Sequence, residues 1–451
     1  MPVLRSLIAA TVLLVGMPWV ANADSPSERW VSTWAAPPVA RVDQAAQTLS
    51  ATAQAFPWAR DVPASVRDAT PGQELEIGGA SSLHFKDQTL RQITHVSVGG
   101  PRVRVVLANT FGTQPLRIGA AQVALRDKGA AISAGSNRVL TFGGIADPLV
   151  PAGALLVSDP VDLPVPDFAD LVVDLYLPDE TATAMSPVTF HPASWQVNYV
   201  SKPGNHAGAA TLPVAATTAY RRSDGLPSAS SFFLSRVEVE APRATGLLVA
   251  FGDSITDGTQ SGIDRNLRWP DLLAGRLAAA GIRMGVVNGG IGGGRILEDG
   301  VGPSALARFD RDVLAQPGVT HVTVLEGIND IGVGGAKPSP SVAELIAGHR
   351  QLIARAHARG LRVYGATLTP FEGAAYWSPE GEAKRQALNE WIRTSGAYDA
   401  VLDFASLLQD PARPTKSRPE YDSGDHLHPS PAAYTVMANS IDLGLFRPTK
   451  E

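Results

Sequence analysis

From residue 247 onward, short apolar runs alternate with amphipathic segments of helical period, and this alternation restricts the possible folds more than any other feature of the sequence. The runs that favour strands are residues 247–251, 284–288, 321–325, 362–368 and 400–404. The segments that favour helices are residues 269–280, 304–315, 342–359 and 381–394, with a last helix beginning near Pro431. Strands that alternate with helices form a parallel sheet covered by helices on both faces. We therefore predict an α/β domain over residues 241–451, with ligands bound where its strands end.

The preceding half of the chain has a different pattern. Short apolar or alternating runs, separated by Gly, Pro, Asp and Asn, occur at residues 95–98, 103–107, 116–125, 154–157, 171–177 and 195–200. Segments of helical period are nearly absent, so we predict an antiparallel β-sandwich of jelly-roll type over residues 24–240. Long loops are expected at residues 45–60 and 211–230. The domain boundary is expected in the second of these loops or at residues 241–246.

Residues 1–23 have the pattern of a secretory signal peptide. Arg5 supplies the positive start, residues 6–20 form an apolar stretch, and the A-N-A at 21–23 is a cleavage site with small residues. A membrane anchor is the alternative, but this apolar stretch is shorter than the roughly 20 residues that a spanning helix needs. We predict cleavage after Ala23, a secreted or periplasmic protein, and no membrane span in the mature chain.

Composition excludes several classes of function. The 451 residues include no cysteine, which excludes disulfides, a thiol nucleophile and thiolate metal sites. The formal net charge of -5 argues against a nucleic-acid-binding protein, which would usually present a basic surface. With 44% hydrophobic and 18% charged residues, the chain has enough apolar material for packed cores. Any nucleophile must therefore be a side chain other than cysteine.

Residues typical of acyl transfer follow the predicted strands of the α/β half. These are G-D-S-I-T at 252–256, N-G-G-I-G-G-G at 288–294, G-I-N-D at 327–330 and, before the last helix, D-H-L-H-P at 425–429. The carboxyl ends of parallel strands meet at one edge of the sheet, so a hydroxyl, glycine amides, a carboxamide and an Asp–His pair are expected to converge there. Acyl transfer needs a nucleophile, oxyanion donors, a base and a group that orients the base.

These four blocks resemble, in order, the conserved blocks of the SGNH, or GDSL, hydrolase family, over roughly residues 247–445. The first block reads G-D-S-I in place of G-D-S-L, a conservative change. The β-rich half resembles the β domain of some large secreted members through W-V-S-T-W at 30–34 and N-T-F-G at 109–112. The resemblance implies a flavodoxin-like, three-layer α/β/α hydrolase domain and a reaction that uses no metal or organic cofactor.

The resemblance also implies roles for individual residues. Ser254 would be the nucleophile, with Asp425 and His428 completing a catalytic triad. Ser254, Gly293 and Asn329 would form the oxyanion hole through two backbone amides and one side-chain amide. Since the glycine run permits other alignments, Gly292 or Gly294 stays open as the donor.

Other interpretations of the same residues are weaker. Ser254 could only cap the following helix, as serine often does after a strand. The glycine run read from Gly290 gives G-x-G-x-x-Arg, which lacks the third glycine of a dinucleotide fingerprint. His426 could join Asp425 and His428 in a metal site, but side chains so close in sequence rarely all face one ion, and we expect His426 at the rim. Asp253 and Asp330 receive no chemical role. Trp269, Phe371, Tyr376 and Trp377 follow strand ends and are expected in the cleft or in the core.

The function predicted from these residues is that of a secreted serine carboxylic-ester hydrolase. A carbohydrate O-acetylesterase or short-chain esterase is favoured, because secreted members with a β domain resemble enzymes that deacetylate polysaccharides. The alternatives are a lipolytic or aryl esterase for longer acyl chains, an acetyltransferase and, in another class, a carbohydrate-binding protein without activity. The predicted partner is thus an ester of a small molecule or a polysaccharide. The oligomeric state and the choice between periplasm and medium stay open.

Overall fold

The computed structural model describes residues 28–41, 85–181, 186–221, 227–332 and 339–447. The signal peptide predicted at residues 1–23 and the loop predicted at 45–60 lie outside the described residues. Within these ranges, no helix combines the length and the apolar character required to cross a membrane.

Short strands make up the first half of the described chain. They are β1 (Glu28–Ala35), β2 (Val39–Arg41), β3 (Gln88–His95), β4 (Gly100–Ala108), β5 (Leu116–Arg117), β6 (Ala120–Leu125), β7 (Arg138–Val139), β8 (Leu149–Val150), β9 (Leu155–Val157), β10 (Val161–Val165), β11 (Asp170–Leu177), β12 (Val188–His191), β13 (Tyr199–Pro203), β14 (Val214–Thr217), β15 (Ala219–Arg221), β16 (Pro227–Ala229), β17 (Ser231–Phe232) and β18 (Leu234–Pro242). Two antiparallel sheets dominate, in the orders β1-β18-β4-β10 with β9 paired to β4, and β14-β13-β3-β11-β6-β7. The prediction of a β-rich, antiparallel first half is confirmed.

Apolar side chains from both large sheets pack together. Because successive side chains of a strand point to opposite faces, alternate residues share one face. The alternate residues Val103, Val105 and Leu107 of β4 and Leu171, Val173 and Leu175 of β11 are fully buried in one cluster. Burial of this kind contributes roughly 25 cal/mol per Å² of apolar surface and holds the two sheets together.

Several local predictions in this half are wrong. Residues 95–98 are not a strand, because β3 ends at His95. The strand predicted at 195–200 begins only at Tyr199, since Trp195 has a φ of 56°, a left-handed conformation incompatible with a strand. The loop predicted at 211–230 contains the strands β14, β15 and β16.

The second half alternates strands and helices, as predicted. Its strands are β19 (Gly246–Gly252), β20 (Met284–Gly290), β21 (Val319–Leu325), β22 (Arg362–Ala366), β23 (Ala400–Leu402), β24 (Gln409–Asp410) and β25 (Arg413–Ser417). Its α-helices are α1 (Ser254–Asp257), α2 (Trp269–Ala279), α3 (Ala305–Phe309), α4 (Ile328–Gly332), α5 (Val342–His357), α6 (Pro379–Thr394), α7 (Phe404–Leu408) and α8 (Pro431–Ser440). A π-helical turn, Asp310–Leu314, continues α3, and 3-10 turns occur at Pro419–Tyr421 and Leu443–Phe446. The strand predicted at 400–404 ends at Leu402, because Asp403 caps α7 by accepting from Ser406 N.

The five strands β20-β19-β21-β22-β23 form one sheet in that order, and every neighbouring pair is parallel. The helices contact one another in two groups: α8 contacts α2 and α7, and the second group joins α3 to α5, α5 to α6 and α6 to α4. This is the predicted α/β class with a doubly wound parallel sheet. Since strand order reverses beside β19, the carboxyl ends of β19, β20 and β21 border the position where such sheets bind ligands.

The β-rich half packs against the free edge of the parallel sheet, along β20. The N–H of Val286 donates to Ser97 Oγ at 2.9 Å. A side chain at Gly285 would place its Cβ 2.8 Å from the backbone oxygen of Ser32 in β1, so glycine is required for this approach. One large cluster of buried apolar residues extends through both halves. The predicted domain boundary at 240/241 lies within β18 and stays a prediction.

Candidate active site

Ser254 stands where β19 turns into α1. Asp253, not Ser254, caps the helix, because its Oδ1 accepts from Ile255 N at 2.9 Å. A Cβ at Gly252 would lie 2.7 Å from the backbone oxygen of Leu325, so the turn requires glycine there. Ser254 is therefore the first residue of a short helix at the end of the sheet, and it is 6% exposed.

Ser254, His428 and Asp425 form a continuous hydrogen-bond chain. Ser254 Oγ lies 2.8 Å from His428 Nε2. On the other side of the ring, His428 Nδ1 lies 2.6 Å from Asp425 Oδ2. Because a carboxylate only accepts, Nδ1 donates to Asp425, and in the neutral ring Nε2 then accepts from the serine hydroxyl. The three side chains predicted from two distant blocks of sequence are therefore in contact, in the order that proton transfer requires.

The carboxylate of Asp425 is held in place by the short loop that carries it. Its Oδ1 accepts from the backbone N–H of His428 at 2.8 Å and of Leu427 at 3.0 Å, and from the hydroxyl of Ser423 at 3.1 Å. Burial alone would raise the pKa of Asp425. The hydrogen bond and charge of His428, with the backbone donors, outweigh burial and lower that pKa well below its ordinary value. At neutral pH, Asp425 is therefore ionised and provides His428 with a negatively charged partner.

The glycine loop after β20 contains three candidate amides, and they differ in their partners. Gly292 N donates to Asp257 Oδ2 at 3.0 Å. Gly294 N donates to the backbone oxygen of Ile291 at 2.9 Å and closes a turn, in which Gly293 has a φ of 73°. Within the described ranges, the structure contains no acceptor for Gly293 N. A Cβ at Gly292 would lie 3.9 Å from that of Ser254, so the loop borders the serine.

Asn329 is tied to this loop at the start of α4. Its Nδ2 donates to the backbone oxygen of Gly294 at 3.0 Å, and its Oδ1 accepts from the hydroxyl of Tyr376 at 3.2 Å. Since oxygen and nitrogen each have a partner of the correct type, the orientation of the carboxamide is determined. The second hydrogen of Nδ2 stays available for a substrate. Asn329 is 3% exposed.

Acidic side chains are buried beneath the site. Asp330 holds the end of the glycine loop, because its carboxylate accepts from Ile296 N at 2.8 Å and from Leu297 N at 3.2 Å. Burial raises the pKa of Asp330 to about 6. Burial likewise raises the pKa of Asp253 to about 7. Asp330 thus shapes the loop without belonging to the hydrogen-bond chain of Ser254.

One buried cation accompanies these acids. The guanidinium of Arg308 donates to Glu326 Oε1 at 3.0 Å, and to the backbone oxygens of Gly252 at 2.9 Å and Gly289 at 2.7 Å. It thereby joins the ends of β19 and β20, the two strands that carry the serine turn and the glycine loop. Burial raises the pKa of Glu326 well above its ordinary value.

The other candidate residues predicted from the sequence do not belong to the hydrogen-bond chain of Ser254, His428 and Asp425. His426 is half exposed and pairs with Asp422, with Nδ1 and Oδ2 2.5 Å apart, so the two histidines of the last block face different partners. Trp269 and Phe371 are fully buried in the core. Trp377 is partly buried against the same core. Among the described residues, no group of three or more His, Asp or Glu side chains has an arrangement that could hold a metal ion.

Sequence reasoning missed two sets of contacts. Tyr376 was expected in cleft or core without a role, yet its hydroxyl contacts Asn329. Burial, together with the charges of Asp253 and Asp425, raises the pKa of Tyr376 well above its ordinary value and keeps the hydroxyl a donor. His191 had no informative context in the sequence, yet it contacts Asp257. No local pattern predicts either contact, because the partners lie tens of residues apart.

Part of the chain matches a known protein family. Residues 250–436 match the GDSL-like lipase/acylhydrolase family. This range contains every residue of the predicted triad and oxyanion hole. A search of curated proteins found no match.

Solved structures similar to the chain align with less than half of it. A catalytic mutant of an acetylxylan esterase from Geobacillus stearothermophilus has 22% identity and a TM-score of 0.35, covering 43% of this chain and 91% of its own. A GDSL-like lipase from Bacteroides thetaiotaomicron VPI-5482 has 20% identity and a TM-score of 0.32, and the match covers 43% of this chain and 84% of the lipase. A psychrotrophic esterase from Pseudoalteromonas sp. has 18% identity and a TM-score of 0.33, and the match covers 43% of this chain and 93% of the esterase.

Proposed function

We propose that the chain is a serine esterase that works through an acyl-enzyme intermediate. The ester-hydrolase activity resides in residues 250–436, which match the GDSL-like lipase/acylhydrolase family. The observation that carries the proposal is the hydrogen-bond chain from Ser254 Oγ through His428 to Asp425. A serine hydroxyl is a weak nucleophile unless an adjacent base removes its proton. Here the base is in contact with the hydroxyl, and the partly buried carboxylate of Asp425 orients the base.

In the acylation step, Ser254 Oγ attacks the ester carbonyl carbon while its proton passes to His428 Nε2. Asp425 stabilises the imidazolium that forms, through the hydrogen bond at Nδ1. The tetrahedral intermediate then collapses, the C–O bond to the alcohol breaks, and the leaving oxygen takes the proton from Nε2. Water attacks the acyl-enzyme by the same route, with His428 as base and then as acid, and releases the carboxylic acid and free Ser254.

The negative oxygen of each tetrahedral intermediate needs hydrogen-bond donors that are not already in use. Three groups are candidates: the amides of Ser254 and Gly293, and the second hydrogen of Asn329 Nδ2. The amides of Gly292 and Gly294 already have acceptors, which supports Gly293 as the glycine donor. Donors held rigidly by the fold need no rearrangement during the reaction, and this is the source of their catalytic effect.

We propose a short acyl group, with acetyl esters of carbohydrates as the favoured substrates. The exposed large apolar side chains of the described chain are Val139, Ile145, Leu149 and Val157, all in the β-rich half. The described rim beside the triad instead carries polar groups such as Asp422 and His426. A site for long acyl chains needs an apolar wall of some length, because the alkyl chain must leave water. The carbohydrate part of the proposal rests on the resemblance to secreted members with a β domain.

We also propose that the protein is exported and cleaved after Ala23, on the signal pattern of residues 1–23. N-terminal sequencing of protein recovered from the periplasm and from the medium tests this proposal. A chain that begins at Asp24 is expected, and a chain that keeps residues 1–23 in the cytoplasmic fraction would contradict it.

The catalytic assignment is tested by Ser254→Ala, with hydrolysis of p-nitrophenyl acetate as the measurement. The variant is expected to fall to background hydrolysis and to keep its circular dichroism spectrum, because only one buried oxygen is removed. Ser261→Ala is the matched control: Ser261 is fully buried on the same segment, and its hydroxyl has no partner within the described part of the chain. Wild-type activity is expected for the control. Wild-type activity in Ser254→Ala would refute the assignment.

The substrate class is tested by comparing p-nitrophenyl esters of two to twelve carbons with acetylated xylan. Preference for the acetyl ester together with acetate release from the polymer is expected. A preference for eight carbons or more would instead identify a lipolytic enzyme. Failure to hydrolyse any ester would favour a carbohydrate-binding role for the chain.

A further inference from the structure

A histidine of the β-rich half reaches the helix that carries Ser254. His191, the last residue of β12, is 4% exposed and lies between two oxygens. Its Nδ1 is 2.9 Å from the backbone oxygen of Pro37, and its Nε2 is 3.2 Å from Asp257 Oδ1. Because a carbonyl and a carboxylate only accept, both ring nitrogens must carry a proton to make these bonds. With Asp257 ionised, this geometry matches a positively charged imidazolium.

The charges around His191 agree with this state. Burial alone would lower the pKa of His191, but the charge and hydrogen bond of Asp257, with the hydrogen bond to Pro37, outweigh burial and raise it. Arg268 opposes the positive charge, but its own guanidinium is held by Asp271 through bonds of 2.7 and 3.0 Å. The other side chains around this small buried gap carry no charge: Trp34, Ala35, Ala36, Ser194 and Asn288.

The second oxygen of Asp257 connects this ion pair to the glycine loop. Asp257 Oδ2 accepts from Gly292 N at 3.0 Å. Gly292 immediately precedes Gly293, the residue whose amide has no acceptor among the described residues. Asp257 is also the last residue of α1, which begins with Ser254. One carboxylate thus joins the helix of the serine, the glycine loop and, through His191, the β-rich half.

The segment that follows β12 is itself anchored to the loop after α1. Trp195 O accepts from Asp264 N at 2.9 Å, and Val197 N donates to Asp264 Oδ1 at 2.8 Å. Gln196 Nε2 donates to Asn266 Oδ1 at 2.6 Å. These contacts give His191 a determined position relative to the catalytic half, as a positioning group requires.

We propose that His191 is a positioning residue for the oxyanion loop. As an imidazolium, it holds the carboxylate of Asp257 in the place where that carboxylate binds Gly292 N, and the Gly293 amide is directed toward the oxyanion as a result. The inference rests on the proposed function, because it takes Gly293 as an oxyanion donor. It gives the β-rich half an indirect part in catalysis, through the position of the glycine loop.

The test is His191→Gln in the full chain, measured by kcat and KM for p-nitrophenyl acetate. Gln can bond to one of the two oxygens but carries no charge, so Asp257 is held less firmly. We expect kcat to fall about 10- to 100-fold, less than the loss of a whole oxyanion donor, with KM little changed. His95→Gln is the matched control: His95 also pairs with an aspartate, but its partner Asp170 lies in the β-rich half, with His95 Nδ1 and Asp170 Oδ1 2.7 Å apart. Wild-type kinetics are expected for the control.

A pH profile separates positioning from general stability. The folded-state pKa of His191 is raised, so its charge is present below that pKa and is lost as pH rises through it. Wild-type kcat should therefore fall on the alkaline side through the loss of this proton. His191→Gln, measured over pH values at which it stays folded, should lack that fall.

Asp257→Asn provides a second route if His191→Gln does not fold. Asn keeps the volume and one acceptor for Gly292 but no charge for His191, so a similar loss of kcat is expected. If both variants fold, the double variant should lose no more activity than the single variants, because the two residues act through one contact. Additive losses, or a wild-type kcat and pH profile in either folded variant, would overturn the inference. If Ser254→Ala is inactive while His191→Gln is unchanged, only this inference fails; an active Ser254→Ala would reject the proposed function itself.

Discussion

Replacement of Asn329 by alanine probes the least redundant donor of the candidate oxyanion hole. Asn329 Nδ2 has two hydrogens, and Gly294 O accepts one of them at 3.0 Å. Only one hydrogen is therefore free for the substrate, and Asn329→Ala removes one donor while the amides of Ser254 and Gly293 stay in place.

The expected magnitude follows from this count of donors. Loss of one oxyanion donor typically costs about 2.7–4 kcal/mol, or roughly 100- to 1,000-fold in kcat. The same substitution removes the hydrogen bonds to Gly294 O and from Tyr376. Each is worth about 0.5–1.5 kcal/mol, so the free energy of unfolding should fall by roughly 1–3 kcal/mol. Asn329→Asp keeps the volume but offers acceptors where donors are needed, and its kcat should fall at least as far.

The assay is steady-state hydrolysis of p-nitrophenyl acetate at a temperature where every variant is folded, with urea unfolding of the same samples. Asn109→Ala is the matched control. Asn109 is also 3% exposed, and its Nδ2 donates to the backbone oxygens of Gln114 and Val150. It lies in the β-rich half, between β4 and β5. The control should lose stability and keep its kcat. A kcat within about three-fold of wild type in Asn329→Ala, well short of the effect of one donor, would refute the reasoning.

Two further predictions concern groups that support the triad and the oxyanion hole. Tyr376→Phe removes the hydroxyl that donates to Asn329 Oδ1 at 3.2 Å. The loss of this one hydrogen bond should lower kcat about 2- to 10-fold at unchanged KM. An unchanged kcat would mean that Gly294 alone orients the amide. The lowered pKa of Asp425 means that its carboxylate stabilises the fold above its ordinary pKa of 3.8, and that this contribution is lost as pH falls through the folded-state pKa. The difference in unfolding free energy between wild type and Asp425→Asn should therefore shrink as pH falls below about 4. Urea titrations that find this difference independent of pH would contradict the assignment.

The fold of the second half could be predicted well because its signal is local. Strands such as β19 and β21 differ from the predicted runs by one or two residues at their ends. Apolar runs and helical periods record which residues are buried, and burial is what determines these elements. The β-rich half was less predictable, because Trp195 adopts a left-handed conformation inside a run with the composition of a strand.

The candidate site, too, was predictable from the sequence only in part. The residue types of the triad could be identified because each block directly follows a strand or precedes a helix, and parallel strands bring such positions to one edge. The choice among Gly292, Gly293 and Gly294 could not be made from the sequence. It depends on which amides already have acceptors, and those acceptors, Asp257 and Ile291, are recognisable only once the chain is folded.

By itself, the sequence determined the α/β class of the second half and the β-rich character of the first, and it identified Ser254, Asn329, Asp425 and His428 as candidate site residues. Only the tertiary structure decided which groups contact them: Tyr376 on Asn329, and His191 on Asp257 across 66 positions of the chain. The physical reason is that periodicity along a chain reports which side chains leave water, whereas a hydrogen bond depends on the partner that folding brings within about 3 Å.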